Sequence, residues 1–203
     1  MGYYILIFLA VIVFLSLLLK LGNDKSKKRR IYNKNQKEIK RAGDLGEHIC
    51  QNEIKGILRK DDVLLNNVCL DVYGKETEID NLIINENGIF IVEVKNYNGT
   101  LYGNIDDYEW TKKKISPGGQ VFTKEVKNPI KQIKRQTYLL SQYLKDNGVG
   151  IWIHPYAYFI NSNSPVNDET VINDIDDLDY IIHKQQPKTY SHKTVNKAIG
   201  LLK

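Results

Sequence analysis

Glu78-Ile79-Asp80-Asn81-Leu82-Ile83-Ile84-Asn85-Glu86-Asn87-Gly88-Ile89-Phe90-Ile91-Val92-Glu93-Val94-Lys95 reads as two apolar strands joined by a tight turn. Asn-Glu-Asn-Gly is a strong hairpin signal, because asparagine and glycine tolerate the positive φ angles of short turns. In the second run apolar residues occupy both parities, the pattern of a strand covered on both faces. Charge interrupts the pattern at Asp80, Glu93 and Lys95, and a buried carboxylate or ammonium needs a partner to offset its desolvation. Period two places Glu93 and Lys95 on the face of Ile89 and Ile91. With Glu86 and Asn87 central in the turn, Asp80 lies opposite Glu93; with Asn87 and Gly88 central, it lies opposite Lys95. Either register puts all three side chains on one face, directly paired Cβ atoms being about 5 Å apart. A three-residue loop would reverse that parity.

Two carboxylates beside a lysine form a hard, oxygen-rich site suited to Mg²⁺ or Mn²⁺. A metal held by Asp80 and Glu93 would polarise a phosphate oxygen and acidify a water, while Lys95 steadies the developing negative charge. From the spacing alone, the alternative is a metal-free salt-bridge network of the same three residues, since such acid-and-lysine patterns arise easily by chance.

Upstream of the hairpin, a helical pattern runs from about Gln36 to Arg59, with Ile39, Ala42, Leu45, Ile49, Cys50, Ile57 and Leu58 on its apolar side. Glu47 lies on that helix along an edge made of Gly43, Cys50, Ile54 and Leu58, so it is expected to point inward. Val63 to Leu70 reads as a strand. Downstream, Thr100 to Asn104 and Tyr108 to Thr111 read as short strands. Asn128 as N-cap and Pro129 at the first helical position open a helix that ends near Gly148, burying Ile130, Ile133, Thr137, Leu140 and Leu144. Ile151 to Ile160 reads as a buried strand and Thr189 to Leu202 as a closing helix. Asp174 to Asp179 reads as a solvated turn before a helical Leu178 to His183 segment. No repeat is present.

Tyr3 to Leu19 carries no charge and lacks a polar face, and as a helix it covers about 25 Å, enough to span a bilayer. Residues 20 to 41 hold ten basic groups against two acidic ones, a net of +8, so the remaining chain is −3 although the whole is +5. The global charge therefore describes a juxtamembrane stalk rather than a DNA-binding domain. By the positive-inside tendency the N-terminus is expected outside and the folded domain in the cytoplasm, the basic stalk attracting anionic headgroups of the lipid bilayer. Local charge differs from global charge. Residues 112 to 135 hold eight basic groups against Glu125, and a phosphate-facing loop and helix is expected there, with Lys127, Lys131, Lys134 and Arg135 as candidate nucleic-acid contacts. Cys50 and Cys69 fit no metal spacing, which favours a reducing compartment. The four histidines show no ligand spacing for zinc. Trp110 and Trp152 read as core.

Gly43-Asp44-Leu45-Gly46-Glu47, the hairpin from Glu78 through Lys95-Asn96-Tyr97, Gly99-Thr100-Leu101-Tyr102-Gly103 and Asn128-Pro129-Ile130-Lys131-Gln132 together resemble the nuclease-related domain, a family similar to the PD-(D/E)xK nucleases. The resemblance covers roughly residues 40 to 145. It implies an α/β, restriction-endonuclease-like mixed sheet flanked by helices, with DNA as substrate. It matches Asp80 and Glu93 to the metal-binding acids, Lys95 to the motif lysine, Glu47 to the helix-borne acid of the site, and adds Gln132 to the catalytic set. Ile79 replaces the proline that precedes the first acid, and the Gln-x-x-x-Tyr motif of some relatives is unmatched, although Gln132 and Gln136 stand near its place. The expected organisation is a transmembrane helix at 3–19, a basic stalk at 20–35, the nuclease-like domain at 36–160 and a helical extension at 161–203 packed on it. The expected function is that of a membrane-anchored, Mg²⁺- or Mn²⁺-dependent deoxyribonuclease without an organic cofactor. The alternative is a catalytically inactive DNA-binding or scaffold protein of the same fold.

Overall fold

The central strand of the main sheet is the apolar run Gly88–Lys95, in which every residue but Lys95 is buried. The computed structural model describes residues 29–203 other than Asn35, Ile39 and Ala42. The expected membrane span at residues 3–19 lies outside the described residues, as does most of the basic stalk. Among the described residues no helix is long and apolar enough to cross a membrane. The chain divides after Asp44 into two units. In the first, the described positions from residue 29 onward are helical, with an exposed Lys34–Glu38 pair one turn apart.

The second unit opens with the rest of that helical stretch, α1 (residues 45–57), and continues as β1 (Val63–Val72), β2 (Lys75–Asn85), β3 (Gly88–Lys95), β4 (Thr100–Tyr102), β5 (Glu109–Ile115), β6 (Val121–Lys127), α2 (Pro129–Asp146), β7 (Ile153–Phe159), β8 (Val171–Ile172), α3 (Ile175–His183) and α4 (His192–Leu202). Five strands form a mixed sheet in the order β1-β2-β3-β7-β8, antiparallel up to β3 and parallel beyond it. Apolar residues of α2 and α4 pack with Leu82, Ile84, Ile89 and Ile91, whereas Cys50 and Ile54 of α1 and Leu178 and Ile182 of α3 pack with Ile83, Phe90 and Val92. Helices thus cover both faces, which is why β3 is apolar at both parities. This arrangement fits the expected nuclease-like α/β class.

The turn is the two-residue one, with Asn85 paired to Gly88 and Asn81 to Val92. Gly88 is required there: its φ is 139°, and a Cβ would meet the Trp152 carbonyl at 2.8 Å. Asn128 caps α2, accepting from the Ile130 amide at 2.9 Å, with Pro129 at the first helical position.

Several expectations need correction. Leu45 and Ile49 are exposed, because the inward stripe of α1 follows Gly46, Cys50 and Ile54 at four-residue spacing. Strand β5 runs on to Ile115 and pairs with β6, where a loop was expected; the three successive lysines Lys112, Lys113 and Lys114 masked the strand pattern. Trp152 is 66% exposed, whereas Trp110 is fully buried as expected. The acidic run is the start of a helix rather than a solvated turn. Asp174 caps α3, and Asp176 and Asp177 lie in its first turn, where carboxylates favour the helix dipole. The extension after residue 160 is not purely helical, since β8 joins the main sheet beside β7. Both cysteines are free.

Candidate active site

A kink in two neighbouring strands creates the candidate site. In β1, Val63 and Leu65 face the α2 side, and so do Val68, Leu70 and Val72, so the alternation reverses between Leu65 and Val68. Asn67 sits at that reversal with a φ of 52°. The facing strand reverses likewise: Ile79 lies on the α2 side together with Leu82 and Ile84, although strict alternation would separate them. Asp80 stands at this second reversal, beyond the last β2–β3 pair at Asn81 and Val92. The ladder is replaced there by a side chain, the Asp80 Oδ2 accepting from the Val94 amide at 2.9 Å. Asp80 therefore reaches β3 at the backbone between Glu93 and Lys95, not across a regular pair as period two implied.

Glu93 and Lys95 share a face, as the alternation required. Glu93 is 2% exposed. Its Oε1 accepts from Lys95 Nζ at 2.5 Å and from Gln132 Nε2 at 2.5 Å, and its Oε2 accepts from Gln136 Nε2 at 2.7 Å. Gln132 and Gln136 are one turn apart on α2, so both reach the same carboxylate. Gln136 also donates to the Glu78 carbonyl at 2.9 Å, leaving its own Oε1 buried without a hydrogen-bond partner. Sequence reading named Gln132 but not Gln136 among the site residues. The four-residue spacing on the face that buries Ile133 and Leu140 was the available signal.

Electrostatics set Asp80 apart. Burial, then the Glu93 charge, push the Asp80 carboxyl up to about 7, against the opposing Val94 hydrogen bond and Lys95 charge; Glu47 adds to the rise. Lys95 is held above the usual lysine range, because the attraction of Glu93, with Tyr97 and Asp80, outweighs the burial that would lower it. Glu47 is half-buried on α1, within electrostatic reach of Asp80. Its neighbour Gly46 accounts for the close approach of the helix, since a Cβ there would lie 2.6 Å from the Asn96 Cβ. Asn96 immediately follows Lys95, so this contact brings the start of α1 to the end of β3.

The donor set is carboxylate oxygens with one amide oxygen left unpartnered, which suits a hard divalent cation. Burial raises Asp80 most and the Glu93 charge adds to it, and such a cation would offset both. Among the described residues, however, no three His, Cys, Asp or Glu side chains are gathered closely enough to hold a metal ion. Glu93, already bonded to Lys95 and two glutamines, would have to be shared or released.

An open cavity of about 1070 Å³ adjoins the glutamines, lined by Glu78, Tyr108, Lys127, Lys131 and Arg135 among others. Three of the four predicted nucleic-acid residues therefore border one hollow, and Lys134 is exposed outside its lining. Lys131 is paired with Asp106 at 3.3 Å, and Arg135 donates to the Glu76 carbonyl at 3.1 Å. His183 stands apart from this site. His183 bonds Asp62 and Asp179 at the opposite end of the hairpin.

The nuclease-related domain family matches residues 42–160. An uncharacterized protein of Bacillus anthracis is 34% identical over an alignment of 107 residues that covers 50% of this chain and 48% of that relative. The chain thus spans about half the length of the curated relative it matches. No solved structure matches.

Proposed function

The chain belongs to the nuclease-related domain family, and from that premise we propose that it is a metal-dependent phosphodiesterase acting on DNA, tethered to the membrane by residues 3–19. The observation that carries the reading is Asp80. A carboxylate set into a gap between strands, raised by burial and by a second acid, is an expensive arrangement unless a cation completes it.

Asp80, Glu93 and Glu47, which do not stand gathered around one point, would have to close on the divalent ion, which when bound would supply positive charge beside the scissile phosphate and make a water acidic enough to attack at neutral pH. The chain's own residues do the rest. Gln132 and Gln136 fix both oxygens of Glu93, so that its carboxylate plane does not rotate. Lys95 presents an ammonium that remains charged at neutral pH, placed to steady the attacking hydroxide and the charge growing on the phosphate. On the expected topology the domain lies on the cytoplasmic side. Protease added to intact cells should then spare it, and efficient external digestion would overturn that placement.

A second reading has one observation in its favour. Both oxygens of the buried Glu93 carboxylate accept from the protein's own side chains, as in a structural ion pair of a non-catalytic scaffold. The deciding experiment uses the full chain with Mg²⁺ or Mn²⁺ on linear DNA. The catalytic reading expects cleavage that Glu93→Gln abolishes together with metal binding. It expects Lys95→Ala to retain metal yet lose turnover by a factor on the order of 10² to 10³. A wild type that binds neither metal nor DNA, with Glu93 variants that unfold, would decide for the scaffold.

A further inference from the structure

Strands β5 and β6 pair Trp110 with Val126, Lys112 with Lys124 and Lys114 with Phe122. Period two puts these six residues on one face of the hairpin. At its inner end Trp110 is buried in the main core, its ring 6.1 Å from that of Phe159, and Val126 packs beside it. One step outward the same face changes character. Lys112 and Lys124 stand directly opposite each other, followed by Lys114 and by Phe122, which is 51% exposed. Like charges directly opposite in an antiparallel pair are destabilising. None of the ion pairs among the described residues involves these three lysines. The neighbouring acid Glu125 is on the other face, bonded to Thr111. Burial, with Lys124 and Lys114, holds the Lys112 ammonium below the usual lysine range.

The face also has a direction. Lys112 Nζ lies 5.6 Å from the centroid of the Tyr97 ring. Tyr97 is two residues beyond Lys95, and its hydroxyl, raised mainly by burial, feels the charges of Lys95 and Glu93. A row of uncompensated ammonium groups therefore leads from an exposed aromatic ring to the proposed reacting centre. A chain of phosphodiesters supplies the missing anions, and an unpaired base supplies a π-face for Phe122, which a closed duplex would not offer.

Resting on the nuclease reading, we propose that the Lys112, Lys114, Lys124 face of the β5–β6 hairpin is the track that guides one single strand of nucleic acid into the site, with a base stacked on Phe122. The full chain is titrated in EDTA with a fluorescent single-stranded oligodeoxynucleotide, and with the duplex of the same sequence, over a range of salt. Tighter binding of the single strand is expected. Lys114→Ala/Lys124→Ala should flatten the log-log salt slope for the single strand by about 1.4, at about 0.7 per lost phosphate contact. Phe122→Ala should weaken single-strand binding about 10-fold with the slope intact. Lys184→Ala/Lys188→Ala, in the segment after α3, should change neither. Hairpin variants that bind as wild type does, or a wild type that binds neither strand form, overturn the track. So does loss of binding to phosphatidylserine-containing vesicles in the hairpin variants while oligonucleotide binding is unchanged, which would assign the face to the bilayer. The nuclease reading fails differently: with Mn²⁺ added, the wild type would show the expected slopes and leave the strand uncut.

Discussion

The β2–β3 hairpin buries a carboxylate network at each end, and the two are built on opposite electrostatic terms. At the turn, Asp62 and His183 have side chains only 4% and 6% exposed, joined at 2.8 Å, and His183 Nδ1 meets Asp179 at 2.6 Å. Asn85 donates to Asp62 at 2.9 Å and to the Ile182 carbonyl at 3.1 Å. Both ring nitrogens of His183 are thus engaged by carboxylates. Burial alone would raise the Asp62 carboxyl, but the bonds from His183, the Arg59 amide and Asn85 outweigh it and lower the group. At the open end, burial and a second acid win, and Asp80 is raised. Satisfied networks of the first kind hold structure together. An acid left in excess, as Asp80 is, is where a missing cation or proton is to be sought.

The largest expected effect tests the satisfied end. His183→Ala strands Asp62 in a buried site without its ring partner, and chemical denaturation should show a loss of roughly 3 to 5 kcal/mol. A loss below about 1 kcal/mol would place the network with ordinary surface pairs and erase the contrast.

The next effect sharpens the sign difference. Asp80 keeps its proton up to about 7 in the folded state, against 3.8 ordinarily. Between those values the folded protein binds the extra proton, so this stabilisation is complete below about pH 4 and lost as pH rises through about 7. The metal-free wild type should therefore lose on the order of 2 kcal/mol between pH 5 and 8. Asp80→Asn should remove that slope and be the more stable protein at pH 8. Magnesium added at pH 8 should restore the wild type and leave Asp80→Asn unchanged. Asp62 has the opposite sign: its contribution is present above its ordinary 3.8 and is lost as pH falls through its lowered folded value. His183→Ala should accordingly weaken the acid limb alone, and parallel slopes in both variants would contradict the comparison.

The smallest effect concerns the support of the open end. Asn128 caps α2 and also donates to the Ile105 and Asp107 carbonyls at 3.0 and 2.8 Å. Asn128→Ala should cost about 1 to 2 kcal/mol in thermal or chemical unfolding. Because α2 carries Gln132 and Gln136, it should also weaken metal binding at Glu93, while the pH response of the Asp62 network stays as in the wild type.

The sequence by itself determined what depends on neighbours a few residues apart. The two-residue turn, the shared face of Glu93 and Lys95, the Asn128-Pro129 start of α2 and the double covering of β3 all follow from φ preference, period two or capping chemistry. Tertiary structure decided what depends on distant partners. Asp80 was legible as a buried acid, but its place between the strands requires the paired kinks at Asn67 and Asp80, which no local periodicity encodes. Gln136 becomes a site residue only because α2 crosses beneath β3, and β6 is a strand only because β5 supplies its ladder, against a lysine-rich composition that reads as loop. Trp152 and Ile49 carry the hydrophobicity of core residues and lie outside it, because burial is settled by which side of an element meets another. Hydrogen-bond geometry is local, whereas the choice of packing partner spans the chain.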